Sequence, residues 1–220
     1  MAMTRHGDNN QRQQIIETCL GMNRLGINQG AAGNVSLRHD DGLLITPSGI
    51  PYDAMKPADI VFLDAEGQPH GEKNPSSEWR FHYDILRDRK DAGAVLHTHA
   101  PYCTTLACLG WEIPAFHYMV AVAGGDSIRC APYATFGSQE LSNNALAALE
   151  GRKACLLANH GMICIDRDLT AVLALAVEVE TLARQYCQAL QLGKPVILSA
   201  TEMQRVLKKF KTYGKQPNRK

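Results

Sequence analysis

Two histidines spaced by one residue close the apolar run Ala94-Val95-Leu96-His97-Thr98-His99. In a strand, residues i and i+2 face the same side, so both imidazoles would stand together where the strand leaves the core. Neutral imidazole nitrogens held about 2 Å from one point suit a first-row metal. A third histidine, His160, ends a second apolar run, Ala154-Cys155-Leu156-Leu157-Ala158-Asn159-His160-Gly161. A lone histidine on an apolar face reads more simply as a hydrogen-bonded core residue. His97, His99 and His160, each closing a buried strand, read better as one shared metal site. Three histidines and an open position fit a catalytic site, whereas a structural zinc is closed by four protein ligands. The seven cysteines are scattered without a C-x-x-C pair, so the zinc reading rests on histidine.

Glu78 is the candidate acid. It follows Pro75-Ser76-Ser77 where a helix is expected to begin, with Ser76 or Ser77 as the cap. Its plain role would be a first-turn partner of the helix dipole. Free N–H groups and hydroxyls at a helix start also form an anion site. A carboxylate beside such a site is awkward unless a cation is near, and a metal resolves that tension. Gly33-Asn34, Ser48-Gly49 and Ser76-Ser77 each offer backbone, hydroxyl or amide donors. Singly each reads as a turn; together they could bind a phosphate at one helix N-terminus. None carries a Walker or dinucleotide fingerprint.

Those residues need positioning elements. A first helix is expected around Ile15, Ile16, Cys19, Leu20 and Leu25, stopped by Gly26. Val35–Arg38 and Leu43–Thr46 read as a hairpin about Asp40-Asp41-Gly42, and Ile60–Leu63 as a strand. A helix to about Arg89 should bury Trp79, His82 or Tyr83, Ile85 and Leu86. The strand Ala94–His99 precedes a helix over Pro101–Leu109. A strand at Ile128–Pro132, a helix at Ser138–Leu149, and strands at Ala154–Asn159 and Met162–Ile165 follow. A long helix spans Leu169 to about Leu192, and a last one begins near Thr201. Helices and strands interleave without a clean βαβ period, which predicts a mixed α/β single domain with a largely antiparallel sheet covered by helices.

Composition sets outer limits. At 220 residues one domain is the default, spanning 11–214, with a disordered tail at 1–10 and a basic tail at 215–220. A net charge of +1 argues against a general nucleic-acid binder. No apolar run reaches the roughly 18 residues of a membrane span. Met1–Asn10 has no apolar core of a secretory signal. The unpatterned cysteines read as reduced core thiols, so a cytoplasmic location is expected.

Longer segments carry a family resemblance. They are Asn28-Gln29-Gly30 with Gly33-Asn34-Val35-Ser36, Leu44–Tyr52, Pro75–His82, His97-Thr98-His99, Ile113–Met119, Cys130–Gly137, Asn159-His160-Gly161 and Phe210–Gly214. In that order, and nearly without gaps, they resemble the class II, zinc-dependent sugar-phosphate aldolases of the fuculose-phosphate type. The superfamily also includes ribulose-phosphate 4-epimerases and the adducin head. The resemblance implies His97, His99 and His160 as zinc ligands, with Glu78 a displaceable fourth; Mn²⁺ or Co²⁺ would suit the same donors. It implies a phosphate held by Gly33, Asn34, Ser48, Gly49, Ser76 and Ser77. Tyr118 would protonate the aldehyde oxygen across a subunit boundary, and Phe136 and Tyr213 would shape the aldehyde pocket. It further implies a C4 homotetramer with active sites between subunits.

The implied reaction is retro-aldol cleavage of a 1-phosphoketose to dihydroxyacetone phosphate and an aldehyde. Zinc would stabilise enediolate charge as a Lewis acid, and in the condensation direction Glu78 would take the C3 proton. Ala31 and Ser48 stand where close fuculose-phosphate aldolases often carry Thr, and Cys103–Trp111 diverges. Fuculose, 5-deoxyribulose and 5-methylthioribulose 1-phosphates therefore all remain as substrates. The rivals are a pentulose-phosphate 4-epimerase, where Asp usually replaces Glu78, and a methylthioribulose-1-phosphate dehydratase, which keeps the histidines. An adducin-like interaction module has no need of the intact triad.

Overall fold

The computed structural model describes residues 8–210 and Thr212. Its centre is one eight-stranded sheet of order β4-β3-β2-β1-β5-β8-β7-β6. The strands are β1 (Asn34–His39), β2 (Gly42–Ile45), β3 (Val61–Leu63), β4 (Pro69–His70), β5 (Ala94–Thr98), β6 (Cys130–Ala131), β7 (Ala154–Leu157) and β8 (Gly161–Asp166). Among the described strands only the β6–β7 pairing is parallel. The helices are α1 (Asn9–Arg24), α2 (Trp79–Asp88), α3 (Pro101–Cys108), α4 (Gln139–Ala148), α5 (Leu169–Leu192) and α6 (Ala200–Phe210). The mixed α/β, largely antiparallel expectation is met, and no described helix is long and apolar enough to cross a membrane.

Period-two alternation divides the core into two layers. Ala94 and Leu96 of β5 face α1, α3 and α5, whereas Val95 packs with Phe81, Ile85 and Leu86 of α2 and Leu141 and Ala145 of α4. His97 shares the Val95 side, and its ring meets Phe81 edge-on at a centroid distance of 5.4 Å. The centre of the sheet therefore sets where His97 points.

Several boundaries differ from expectation. Helix α1 begins at Asn9, inside the stretch expected to be disordered, because Arg12 pairs with Asp8 at 3.0 Å and donates to the carbonyl of Ile60. Neither Ser76 nor Ser77 caps α2: Glu78 holds the N-cap position and makes no capping bond. Trp79 and Tyr83 are only half-buried, while Phe81 and Asp84 are buried. The inward stripe of α2 runs Glu78, Phe81, His82, Ile85 and Leu86, at helical i, i+3, i+4 spacing. That stripe turns Glu78 toward the sheet. Strand β5 ends at Thr98, one residue before His99. The expected strand at Ile128–Pro132 shrinks to Cys130–Ala131, with Ile128 in a single bridge to Ile113.

Candidate active site

Strand register brings the chemistry to one end of the sheet. Asn34, the first residue of β1, lies opposite His97 on β5. Thr98 lies opposite Met162 on β8, which places the β7–β8 turn carrying His160 beside the exit of β5. That turn closes through the His160 N–H to the Leu157 carbonyl at 3.0 Å, with Asn159 at φ 56°. The end of β2 joins them: Thr46 N–H donates to Val35 O, and Pro47 bridges Pro75. Ser76 N–H in turn donates to Thr46 O at 2.9 Å, and Ser48 N–H to Asn74 O at 3.1 Å. All three small-residue loops therefore meet beside His97.

Four side chains converge there. One ligand-type atom from each of Glu78, His97, His99 and His160 lies within 4.8 Å of the others. His97 Nε2 is 3.2 Å from Glu78 Oε2, and His160 Nε2 is 3.1 Å from Glu78 Oε1. His99 Nε2 stands 3.1 Å from His97 Nε2. His97 Nδ1 faces the carbonyl of Met162 at 2.9 Å. A carbonyl only accepts, so Nδ1 carries a proton, and Nε2 is the ring nitrogen available to a metal.

That donor set needs a cation. Burial pushes the Glu78 carboxyl up, but interactions with His97 and His160 more than reverse this and hold it well below the usual carboxylate range. Glu78 is thus a carboxylate at 6% exposure. Burial, with His97 and His160 as neighbours, pushes His99 down to about 4, so its ring is neutral at pH 7. His97 Nε2 thus faces the Glu78 carboxylate at 3.2 Å and His99 Nε2 at 3.1 Å, a crowd of ligand-type atoms around one point. Among the described residues, buried Glu78 Oε1 accepts no well-formed hydrogen bond; its polar neighbour is His160 Nε2 at 3.1 Å. A divalent cation amid these four atoms satisfies every one, and three imidazoles with a carboxylate suit a borderline metal such as zinc.

Glycines let the backbones close in. A Cβ on Gly33 would lie 2.5 Å from the His97 carbonyl and 2.8 Å from Asn28 Oδ1. One on Gly161 would lie 2.5 Å from the Thr98 carbonyl. Beside His99 opens a groove of about 580 Å³, lined also by Gln29, Ala32, Pro101, Thr104 and Leu109.

A family model for the class II aldolase and adducin N-terminal domain matches residues 13–187. The chain belongs to that family. It is 62% identical over 203 residues to 5-methylthioribulose-1-phosphate/5-deoxyribulose-1-phosphate aldolase of Rhodospirillum rubrum, covering 92% of each chain. To L-fuculose phosphate aldolase of Escherichia coli K12 it is 54% identical over 207 residues, 94% of this chain and 96% of that one. A solved L-fuculose 1-phosphate aldolase superposes with a TM-score of 0.89 at 40% identity, covering 96% of this chain and 98% of the other.

Not every expected residue of this class II aldolase domain joins the cluster. Tyr118 starts a 3₁₀ segment, is 49% exposed, and stacks on His117 at 4.9 Å. Phe136 is 65% exposed, but its loop touches the site: a Cβ on the next residue, Gly137, would lie 2.7 Å from Ser77 O. Tyr213 falls outside the described residues. Two residues have roles at the site that their types and spacing did not assign. Asn28 ties the Gly30–Gly33 loop to β5, accepting from Thr98 Oγ1 at 2.9 Å and donating to Gly30 O at 3.2 Å. His82 hydrogen-bonds Asn34, whose amide donates to Glu78 Oε2 at 2.9 Å. Its i+4 spacing from Glu78 was the available signal.

Proposed function

We propose that this class II aldolase domain cleaves a 1-phosphoketose, by a metal-dependent retro-aldol reaction, to dihydroxyacetone phosphate and an aldehyde. One observation carries the reading: a buried carboxylate and three imidazoles converge within 4.8 Å, beside three donor-rich loops. His97, His99, His160 and Glu78 would hold the metal, Zn²⁺ by the nature of the donors. When bound, it supplies Lewis acidity toward the ketose oxygens. Hydroxyls and N–H groups of Ser48, Gly49, Ser76 and Ser77, with Gly33 and Asn34, would hold the phosphate. Both heavy atoms of the Asn34 amide already face His82 and Glu78, so its side chain has only a second amide hydrogen to offer. Anchoring the phosphate fixes the reacting carbons relative to Glu78.

Glu78 would carry the proton at the carbon next to the carbonyl, and the Tyr118 phenol would protonate the departing aldehyde oxygen. Tyr118 is exposed and apart from the cluster on its own chain, which favours delivery from a neighbouring copy in a C4 tetramer. Exposed Leu109, Trp111, Tyr133 and Phe136 are apolar surface for such contacts. The names of the two aldolase relatives favour 5-methylthioribulose, 5-deoxyribulose or fuculose 1-phosphate. Seven free cysteines favour a reducing, cytoplasmic setting.

A coupled assay for dihydroxyacetone phosphate over a panel of 1-phosphoketoses tests the reading. Release from at least one, abolished by chelator and restored by Zn²⁺, is the expected result. Activity that survives metal removal, or that borohydride blocks with substrate present, would refute it. Isomerisation of a pentulose phosphate without aldehyde release would mark the epimerase instead.

A further inference from the structure

His82 is fully buried on α2, one turn beyond Glu78. Its Nδ1 lies 2.7 Å from Ser36 Oγ, and its Nε2 lies 2.5 Å from Asn34 Oδ1. The direction of every proton in this chain follows from its far end. A carboxylate only accepts, so the Asn34 amide must turn its Nδ2 to Glu78 Oε2; reversed, two oxygens would oppose each other. Asn34 Oδ1 then faces His82, and a carbonyl oxygen needs a donor. His82 Nε2 therefore carries the proton. Burial, with His97 nearby, pushes this imidazole down to about 3, so the ring is neutral and Nδ1 is left as an acceptor for the Ser36 hydroxyl. Three hydrogen bonds run one way, from Ser36 through His82 and Asn34 to Glu78, each polarising the next.

The consequence is an asymmetric carboxylate. Oε2 of Glu78 is pinned by Asn34, whereas buried Oε1 accepts no well-formed hydrogen bond among the described residues and has beside it His160 Nε2 at 3.1 Å, a nitrogen assigned to the metal. We propose that His82 is a positioning residue that, through Asn34, pins Oε2 of Glu78 and leaves Oε1 as the atom that takes the substrate proton. The proposal rests on the aldol reading above. In that step a C–H bond of dihydroxyacetone phosphate breaks and an O–H bond forms at Oε1. The electron pair stays with dihydroxyacetone phosphate, and the proton later returns to carbon or passes to solvent.

Two measurements test it. In the metal-free full-length protein, long-range ¹⁵N–¹H correlation of the His82 ring should show the neutral Nε2–H tautomer; an Nδ1–H tautomer or an imidazolium at pH 7 overturns the proposal. In the Zn²⁺-loaded protein, hydrogen–deuterium exchange of dihydroxyacetone phosphate in D₂O isolates the proton transfer from the aldehyde half. His82→Leu should lower kcat for exchange about 10²-fold, with KM and zinc content unchanged. His82→Gln, which can donate to Asn34 and accept from Ser36, should recover most of it. Should His82→Leu fail to fold, Ser36→Ala replaces it, with an expected loss of about fivefold. Wild-type exchange rates in folded His82→Leu or Ser36→Ala overturn the positioning role. So does a Gln variant as impaired as Leu, or a loss confined to KM or zinc. A wild-type protein that exchanges nothing overturns the aldol reading itself.

Discussion

Gly161 follows His160 and lies against Thr98 and His99, so adding one methyl group there probes how tightly two residues of the proposed metal set are held. A Cβ at Gly161 would lie 2.5 Å from the Thr98 carbonyl oxygen and 3.0 Å from His99 Cδ2, where ordinary contact begins at 3.4 Å. Either β5 or β8 must yield by about 0.9 Å. The nearer obstacle is backbone in the middle of the sheet, so it cannot swing aside as a side chain would. Overpacking of this kind costs about 1–3 kcal/mol, or a Tm lower by about 2–12 °C at this chain length. Because the displaced strand end carries His99, and the neighbour of Gly161 is His160, the same shift spreads the donor atoms. A misplacement near 1 Å costs roughly 10²-fold in turnover. Gly161→Ala should therefore lose stability, bind Zn²⁺ more weakly, and cleave 1-phosphoketose far more slowly. Gly193→Ala, whose Cβ meets nothing within 4 Å, is the matched control and should stay near wild type in all three. Calorimetry, elemental analysis of dialysed protein and the coupled assay read these out. Wild-type Tm, zinc content and kcat in Gly161→Ala would refute the close-approach argument.

Other perturbations separate binding, chemistry and folding. His99→Ala should lose metal after dialysis, whereas Glu78→Gln should keep some metal yet turn over at least 10²-fold more slowly; equal metal loss in both would contradict the assigned roles. Glu180 on α5 is buried and accepts the Tyr102 and Cys103 N–H groups at 2.8 and 2.9 Å, holding the start of α3 just after His99. Glu180→Ala should cost about 2–4 kcal/mol in urea unfolding, and a change under 0.5 kcal/mol would argue against this buried anchor. Asp168 caps α5, accepting the Ala171 N–H at 2.7 Å, and that hydrogen bond, chiefly, lowers its pKa. A lowered native pKa means the stabilisation is present above the unfolded value near 3.9 and fades as pH falls through the native one. The stability gap between wild type and Asp168→Ala should be about 1 kcal/mol at pH 7 and shrink below pH 4. A gap independent of pH would show that the cap does not act through its carboxylate.

The existence of most elements is legible in the chain because their signals are local. The apolar period of α5 and the stop at Gly26 mark helices, and the turn at Asp40-Asp41-Gly42 joins β1 to β2 where expected. What local signals mislocate is the edges. Ser76 and Ser77 look like caps by type, but both precede a helix that starts at Trp79, where the packing of Phe81 and Ile85 sets the phase. Trp79 reads as core for its size, yet it lies off the inward stripe, with the Arg80 guanidinium 4.7 Å over its ring.

Residue type and spacing suffice to name the side chains able to do chemistry: two histidines at strand spacing, a third closing another apolar run, and a carboxylate at a helix start. Residue type fixes what a group can donate, accept or ligate, and that needs no fold. It takes the folded sheet to bring Glu78 and His160, 82 positions apart in the chain, together across a gap of 3.1 Å. That meeting comes from the register of β1, β5 and β8 and from the inward stripe of α2, both set by burial of the two core layers. The fold also decides that Asn34 and His82 serve Glu78. The sequence offered only their types there, since a hydrogen-bond partner exists only once distant backbone fixes both ends.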